Sequence, residues 1–329
     1  MLPPMPEGAP VAVVVPSWNS ARLLPDCLGS LREQGMPLEL MVVDNGSDDG
    51  SVAYLEREGV PHLALPQNVG FARAMNLGAA QTRAETVLAL NADTVVEPGA
   101  VRTLLDALQA DPSLAGVQPR ILQTEEAVVL GSARLYSAGQ ALTRDGRAFE
   151  LGAGEAQSRQ YLAGREVFGV CGAACLLRRQ LFEQLGGYDE RYFSFYEDVD
   201  LNARARIAGW RFAYVPEAVV WHLGNASWTA EAPRPTAWNA RLVARNRIAT
   251  QAKFVPLRAL PRILAVEVGA LLRAARQRRL RATLRGKLEG LRLLPAMLRE
   301  RRRLAREGEL ARAKEWLGAA SAAPAPRGG

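Results

Sequence analysis

The stretch VAVVVPSWN, residues 11–19, decides the fold class of this chain. Val11–Val15 is a continuous apolar run rich in β-branched residues, and the polar group Pro16–Asn19 follows it at once. Such a run is typical of a strand buried on both faces, as strands of parallel sheets are. Further apolar runs alternate with helical patterns, the runs at residues 38–43, 62–65 and 86–90 and the helical patterns at residues 23–34, 51–58, 70–80 and 98–110. The alternation predicts an α/β fold with a mostly parallel central sheet flanked by helices.

Polar residues follow each of the four predicted strands, in the groups Pro16–Asn19, Asp44–Gly50, Asn68–Arg73 and Asn91–Asp93. Ligands of parallel α/β sheets bind at the carboxyl ends of the strands, so these groups are expected to form one site. A carboxylate such as Asp44 can accept a hydrogen bond from a pyrimidine base, and the Arg73 guanidinium can pair with phosphate. The sequence contains neither a G-x-G-x-x-G nor a P-loop motif, which argues against a dinucleotide or P-loop site.

The second half of the chain has a less regular pattern. Residues 120–165 are rich in Gly, Ala and Gln with weak periodicity, and they are predicted to form irregular strands and a mobile loop. An apolar run returns at Val167–Leu177, before a helix at Arg179–Leu185 that Gly186 and Gly187 end. A further helix is expected at residues 197–208, with strands near 210–214 and 218–221.

Charge divides the chain into an acidic body and a basic tail. The 41 Lys and Arg and 34 Asp and Glu give a net charge of +7. From residue 254 onward there are 18 basic and 6 acidic residues, or +12, which leaves 23 and 28, or −5, for residues 1–253. We therefore predict an α/β domain at 1–253, a basic amphipathic helical extension at 254–318 and a disordered tail at 319–329.

The leucines of the extension, including Leu280, Leu284, Leu288 and Leu291, recur on one helical face with arginines around them. Two interpretations stay open: the extension docks on an anionic membrane, or it packs on the domain at 1–253. Stacking on nucleic-acid bases is not expected, because Trp316 is the single aromatic residue after Phe254.

Other features of the sequence exclude several classes. Three cysteines and two histidines rule out a disulfide framework and zinc-finger spacing. The first ten residues lack the basic and apolar regions of a signal peptide, and no apolar run reaches 18 residues. We expect a cytoplasmic protein that can lie on the inner face of the cell membrane.

The motifs at the strand ends resemble those of the family-2 glycosyltransferases of the GT-A fold, and within them the rhamnosyltransferase-like branch. The segments that carry the resemblance, spread over residues 11–254, are Val13–Asn19, Val42–Ser47, Asn68–Ala72, Leu90–Asp93, Gly186–Glu190, Phe195–Leu201 and Trp221–His222.

The resemblance implies an inverting transfer of a sugar from a nucleotide-sugar donor, with Asp198 as the general base. It implies a divalent metal, Mg²⁺ or Mn²⁺, at Asp93 and His222. The element before that metal site reads Asn-Ala-Asp and so lacks the first carboxylate of the family's Asp-x-Asp. Donor contacts are expected at six positions, Pro16, Trp18, Asp44, Asn68, Arg73 and Asn91.

Two further residues are expected to contact the acceptor, Glu197 and Trp221. Core packing explains Trp221 and Trp18 equally well, and Glu197 could simply complement a helix dipole. The resemblance favours a deoxythymidine-diphosphate-linked rhamnose (dTDP-rhamnose) donor and a glycan or lipid-linked acceptor. Two alternatives are a nucleotidyltransferase, although no basic residue follows the first strand, and a non-catalytic binding protein with a basic tail.

Overall fold

The structure, a computed structural model, describes residues 8–123, 134–223 and 237–306. Its strands are β1 (Val11–Ser17), β2 (Leu38–Asp44), β3 (His62–Ala64), β4 (Thr86–Leu90), β5 (Thr94–Val96), β6 (Leu114–Gln123), β7 (Arg134–Ser137), β8 (Gln140–Leu142), β9 (Ala148–Glu150), β10 (Arg165–Val167), β11 (Ala174–Arg178) and β12 (Arg211–His222). Its helices are α1 (Leu24–Arg32), α2 (Ser51–Arg57), α3 (Phe71–Ala80), α4 (Ala100–Ala110), α5 (Arg179–Leu185), α6 (Glu197–Ile207), α7 (Ala237–Phe254), α8 (Leu260–Arg276) and α9 (Leu280–Arg306).

Within the described residues, ten strands form one sheet whose main path is β10-β12-β6-β11-β4-β1-β2-β3. The half built from β3, β2, β1 and β4 is parallel, as the strand and helix alternation predicts. The other half is mixed, because β11 enters antiparallel between β4 and β6 while β12 pairs parallel with β6. The predicted α/β class is confirmed, and the antiparallel strands come from the less periodic second half of the chain.

Both faces of β1 are buried, which explains why its sequence is continuously apolar. Val11, Val13 and Val15 share one core cluster with Leu24 and Leu28 of α1. Val14 faces the opposite cluster, which contains residues of α3. Since alternate side chains of a strand point to opposite faces, a strand between two helical layers needs apolar residues at every position.

The described part of the weakly periodic segment, residues 134–165, forms short paired strands. Strand β7 pairs with β6, and β8 and β9 form a two-stranded antiparallel sheet. All three residues of β8 are buried. The irregular strands predicted here are therefore present at residues 134–165, whereas residues 124–133 lie outside the described part of the chain.

Helix α9 packs closely along α7 and connects the basic extension to the rest of the chain. A Cβ atom at Gly286 would overlap the carbonyl oxygen of Arg241, and one at Gly290 would lie 2.7 Å from that of Arg245. Phe254, where the predicted extension begins, is fully buried in a cluster that also contains Val199 of α6. The extension thus shares a core with the sheet domain, and its predicted end at residues 307–329 lies outside the described residues.

Among the described helices, none is long and apolar enough to span a membrane.

Candidate functional site

A cleft of about 350 Å³ lies at the carboxyl ends of β1, β2 and β4, where the sequence places the polar groups. Its volume is within the range of small-molecule sites. Eight of the sequence-predicted residues line the cleft: Pro16, Trp18, Asn68, Asn91, Asp93, Glu197, Asp198 and His222. The fold therefore brings most of the predicted site together from segments that are far apart in sequence.

Asp93 and His222 form a buried pair on one wall of this cleft. The imidazole Nε2 lies 3.1 Å from Asp93 Oδ1 and 3.3 Å from the side-chain amide nitrogen of Asn91. Antiparallel pairing of β5 with the end of β12 sets His222 opposite Thr94, the residue after Asp93. The ring edge of Tyr136 packs against the imidazole with centroids 4.3 Å apart.

This pair fits a hard divalent cation. Ligand atoms that bind one octahedral Mg²⁺ at about 2.1 Å are about 3 Å apart, close to the separation of Asp93 Oδ1 and His222 Nε2. A carboxylate oxygen suits both Mg²⁺ and Mn²⁺, whereas an imidazole nitrogen is a ligand typical of transition-metal ions, so the mixed pair favours Mn²⁺ over Mg²⁺. Asn91 is the first residue of the Asn-Ala-Asp element and carries an amide in place of the first carboxylate of Asp-x-Asp. The ionised Asp93 therefore supplies the single negative charge of the Asp93–His222 pair.

Asp198 lies in the first turn of α6 and is held by three hydrogen-bond donors. Its Oδ2 accepts hydrogen bonds from the Gly172 amide at 3.0 Å and from Gln140 Nε2 at 2.7 Å. Its Oδ1 accepts from the amide of Val199 at 2.8 Å. Because these donors fix the carboxylate on the cleft wall, its geometry is set before any ligand binds.

The loop before Asp198 is strained and clamped. Phe193, Phe195 and Tyr196 have φ values of 65°, 67° and 67°, in the left-handed region that residues with side chains rarely adopt. The buried amide Nδ2 of Asn246, on α7, donates to the carbonyl oxygens of Tyr192, Ser194 and Phe195 at 2.7–2.9 Å. Backbone strain persists only where surrounding contacts enforce it, and it is concentrated at functional sites.

The same loop explains one glycine of the Asn-Val-Gly motif. A Cβ at Gly70, whose φ is 87°, would lie 2.5 Å from the carbonyl oxygen of Phe193. That carbonyl also accepts a hydrogen bond from the amide of Ala72. Gly70 therefore permits the close approach between the start of α3 and the loop that carries Asp198.

Two neighbouring acidic side chains of the cleft, Glu197 and Asp198, have raised pKa values. Burial raises the pKa of Asp198 above its ordinary value, while its hydrogen bonds oppose the shift. Burial and then the charge of Asp198 raise the pKa of Glu197 well above its ordinary value. Glu197 Oε2 is buried and has no hydrogen-bond partner within the described residues. Carboxyls perturbed in this way are typical of functional sites.

Glu150 belongs to the cleft although the sequence patterns did not single it out. Its Oε1 accepts from Gln140 Nε2 at 2.9 Å, and its Oε2 accepts from the Ser137 hydroxyl at 2.5 Å. Burial, followed by the negative charge of Asp198, raises the pKa of Glu150 to about 7. Weak periodicity hid this residue, since β8 and β9 have only three residues each.

Glu150, Cys171 and Asp198 bring ligand atoms within 4.8 Å of one another. Both carboxylates of this group already accept hydrogen bonds from Gln140. Burial raises the pKa of the Cys171 thiol well above its ordinary value, so the neutral thiol is favoured over the thiolate that binds metals. The pair of Asp93 and His222 is the better donor set for Mg²⁺ or Mn²⁺.

Two of the predicted nucleoside contacts lie away from the cleft wall. Asp44 is fully buried, and its carboxylate accepts from the amides of Gly46 and Ser47 and from the Ser47 hydroxyl. Arg73 is exposed, 3.8 Å from Glu190, and is not among the described cleft residues. The next residue after Asp44, Asn45, does line the cleft, and its Oδ1 accepts from the amide of Val69 at 3.2 Å.

Trp221, predicted to contact the acceptor, points away from the cleft. Its ring is buried in the core and its Nε1 donates to Glu97 Oε1 at 2.9 Å. The prediction is wrong because side chains alternate along β12, so that a strand position facing the cleft at His222 turns its neighbour to the opposite side. Core packing, the alternative interpretation, applies to Trp221.

The family model described as "Glycosyltransferase like family 2" matches residues 7–240. The N-acetylglucosaminyl-diphospho-decaprenol L-rhamnosyltransferase of Mycobacterium tuberculosis strain H37Rv is 32% identical over 208 residues, which cover 56% of this chain and 66% of that protein. The pre-mycofactocin glycosyltransferase of the same strain is 33% identical over 228 residues, which cover 67% of this chain and 44% of that protein. The chain thus spans less than two thirds of the length of each relative.

The crystal structure of GalNAc-T7 with UDP, GalNAc and Mn²⁺ has the same fold, with a TM-score of 0.59 at 14% identity over 75% of this chain and 49% of that one. This similarity confirms the predicted GT-A fold. The family match covers more than two thirds of the chain and includes the segments that place Asp93, Asp198 and His222 in the cleft. The chain belongs to the family-2 glycosyltransferases, as the resemblance of its strand-end motifs implies.

Proposed function

We propose that this protein is an inverting, metal-dependent glycosyltransferase in which Asp198 is the general base. The observation that carries the proposal is the placement of a fixed, half-buried carboxylate and the Asp93–His222 pair in one cleft at the strand ends. An inverting transfer needs a single base on the acceptor side and charge compensation on the diphosphate side. The cleft offers Asp198 as the candidate base and the Asp93–His222 pair as candidate ligands for the cation that would compensate the diphosphate.

The proposed proton transfer depends on how the Asp198 carboxylate is held. Its Oδ atoms accept hydrogen bonds from Gly172, Val199 and Gln140, so the carboxylate is oriented to receive one proton. As the acceptor oxygen forms its bond to the anomeric carbon, that oxygen loses its proton to Asp198 and the nucleoside diphosphate leaves from the opposite face. Asp93 and His222 would hold Mg²⁺ or Mn²⁺, whose positive charge would compensate the diphosphate.

The donor and acceptor are proposed from the relatives. The rhamnosyltransferase of M. tuberculosis acts, by its name, on N-acetylglucosaminyl-diphospho-decaprenol, and it aligns with 56% of this chain. We infer dTDP-rhamnose as the donor and a hydroxyl of a glycan or lipid-linked sugar as the acceptor. Asn45, Asn68 and Trp18 line the cleft where the nucleotide sugar would bind, and Asn45 is better placed than Asp44 for the base. Glu197, on the other side, is available for the acceptor.

A panel of nucleotide sugars tests this proposal, with donor hydrolysis and transfer measured at added Mn²⁺ or Mg²⁺. Asp198→Asn should lower transfer by about 10²–10⁴-fold, the usual contribution of a general base, while donor binding is retained. Asp106→Asn is the matched control, because Asp106 is an exposed residue of α4 outside the cleft. Near-normal transfer by Asp198→Asn would exclude this residue as the base, and activity with a donor other than dTDP-rhamnose would replace the proposed donor.

A further inference from the structure

Helix α8 is apolar on a face that no described part of the chain covers. Four of its apolar residues, Leu260, Leu264, Val268 and Leu272, recur every four positions and are 49–58% exposed. Ala274 is the one buried residue of this 17-residue helix. A continuous row of exposed apolar side chains along one face of a helix marks a site of interaction.

Helix α9 extends this surface. Leu280, Leu284, Leu288 and Leu291 are 36–62% exposed. The opposite face of α9 carries Gly286 and Gly290, which pack against the backbone of α7. That contact fixes the rotation of α9 about its axis. The leucine face therefore points outward as a consequence of how α9 packs on α7.

The charge around these leucines is strongly positive. Residues 257–306 contain 15 Lys and Arg and 3 Asp and Glu, so their net charge is +12. The three acids are already paired: Glu267 with Arg247 at 2.7 Å, Glu289 with Arg241 at 2.7 Å and Glu300 with Arg303 at 3.2 Å. The positive charge that remains has no counterpart on the same segment.

We propose that α8 and α9 together form a peripheral membrane-binding surface for anionic lipid. The exposed leucines and Val268 enter the interface between head groups and acyl chains, and the arginines contact lipid phosphates. A second copy of the chain is disfavoured as the occupant because two surfaces of +12 would repel each other. The inference rests on the proposed function in one respect, the lipid-linked sugar proposed there as an acceptor.

Co-sedimentation of the full-length protein with vesicles tests the proposal. Binding is expected to vesicles of phosphatidylcholine with phosphatidylglycerol, to weaken with salt, and to be much lower for phosphatidylcholine alone. The variant Leu264→Gln/Val268→Gln/Leu272→Gln should lower partitioning by at least about tenfold, since three apolar side chains lose their burial. Leu162→Gln is the control, because Leu162 is 54% exposed outside the two helices.

Transfer to a small soluble acceptor separates this inference from the proposed function. The triple variant should retain it, because the substituted residues are exposed and are not among the described cleft residues. No vesicle binding by the unmodified protein, or equal binding by the triple variant, would overturn the proposal. A dimer in light scattering that dissociates in the triple variant, without vesicle binding, would assign the surface to contact between copies. Absence of transfer by the unmodified protein would instead contradict the proposed function and leave the vesicle result unaffected.

Discussion

Gln140 Nε2 lies 2.7 Å from Asp198 Oδ2, and this hydrogen bond ties the candidate base to a strand that is 58 residues away in sequence. The same nitrogen donates to Glu150 Oε1 at 2.9 Å. The other end of the amide is fixed too, because Asn202 Nδ2 donates to Gln140 Oε1 at 2.8 Å. One amide therefore positions two carboxylates, and α6 orients that amide as well as carrying Asp198.

Gln140 is expected to act as a positioning residue. In Gln140→Met the side chain keeps its length and loses the amide, so a hydrogen bond that lowers the pKa of Asp198 is removed. The pKa of Asp198 then rises further, and the acidic limb of the pH–rate profile should move to higher pH. At a fixed neutral pH, kcat should fall more than the donor KM changes.

The control for this variant is Gln34→Met. Gln34 is equally buried and donates to the carbonyls of Ser30, Val96 and Glu97, but it is not among the described cleft residues. Its substitution should lower stability and leave the pH profile unchanged. If Gln140→Met also leaves the profile unchanged, the amide does not tune the base.

Glu150 makes stability depend on pH in a direction opposite to that of most carboxylates. Its pKa is raised to about 7 in the folded protein from an ordinary value of 4.5, so the folded state holds the proton more tightly than the unfolded state. The stabilisation is present below pH 4.5 and is lost as pH rises towards 7. One group changes the free energy of unfolding by at most about 1.4 kcal/mol per pH unit.

Glu150→Gln removes this titration. Chemical denaturation of both proteins at pH 5, 6, 7 and 8 should show the variant gaining stability relative to the unmodified protein between pH 5 and 7, with a constant difference above that. A difference that does not vary with pH would show that Glu150 titrates normally.

How far the sequence predicts this molecule depends on how local each signal is. Val11–Val15 predicts a doubly buried strand, and the polar groups after four strands predict the position of the cleft, because both follow from short-range patterns. The motif at Phe195–Leu201 likewise predicts Asp198 as a cleft residue, and Asp198 lines the cleft. Asp200, two residues on, is fully buried and paired with Arg204 and Lys253 at 2.7 Å each, so it anchors α6.

The parts that the sequence did not predict depend on pairing between distant segments. Gln140 and Glu150 enter the cleft through strands of three residues, too short to produce a periodic signal. Asn246 lies on a helix with no clear amphipathic pattern and acts on carbonyl oxygens some 50 residues earlier. The wrong prediction for Trp221 was avoidable, because neighbouring side chains of a strand point to opposite faces and His222 already faces the cleft.

The metal pair gives a prediction with a natural control, because the chain has two histidines. Asp93→Asn and His222→Ala should each weaken binding of the nucleoside diphosphate and raise the metal concentration needed for half-maximal activity. His62→Ala should change neither, since His62 contacts the Val60 carbonyl at the far strand β3. Full activity of the unmodified protein in excess chelator would refute metal dependence.

Asn246 provides the last prediction, which links helix α7 to the chemistry of the cleft. Asn246→Ala leaves the carbonyl oxygens of Tyr192, Ser194 and Phe195 without this donor, and a buried group left unpaired costs about 1–3 kcal/mol. The positive-φ residues of the loop, each strained by about 1–3 kcal/mol, are then free to relax, and Asp198 moves with them. Both the free energy of unfolding and kcat should fall, with kcat reduced even where the protein is fully folded.

Thr250→Val is the matched control: Thr250 is one turn along on α7, also fully buried, and contacts the Tyr192 hydroxyl at 3.1 Å without touching the loop carbonyls. This control should lose about 1 kcal/mol and keep its kcat. Equal loss of kcat in both variants would mean that general destabilisation of α7, and not release of the loop, controls the rate.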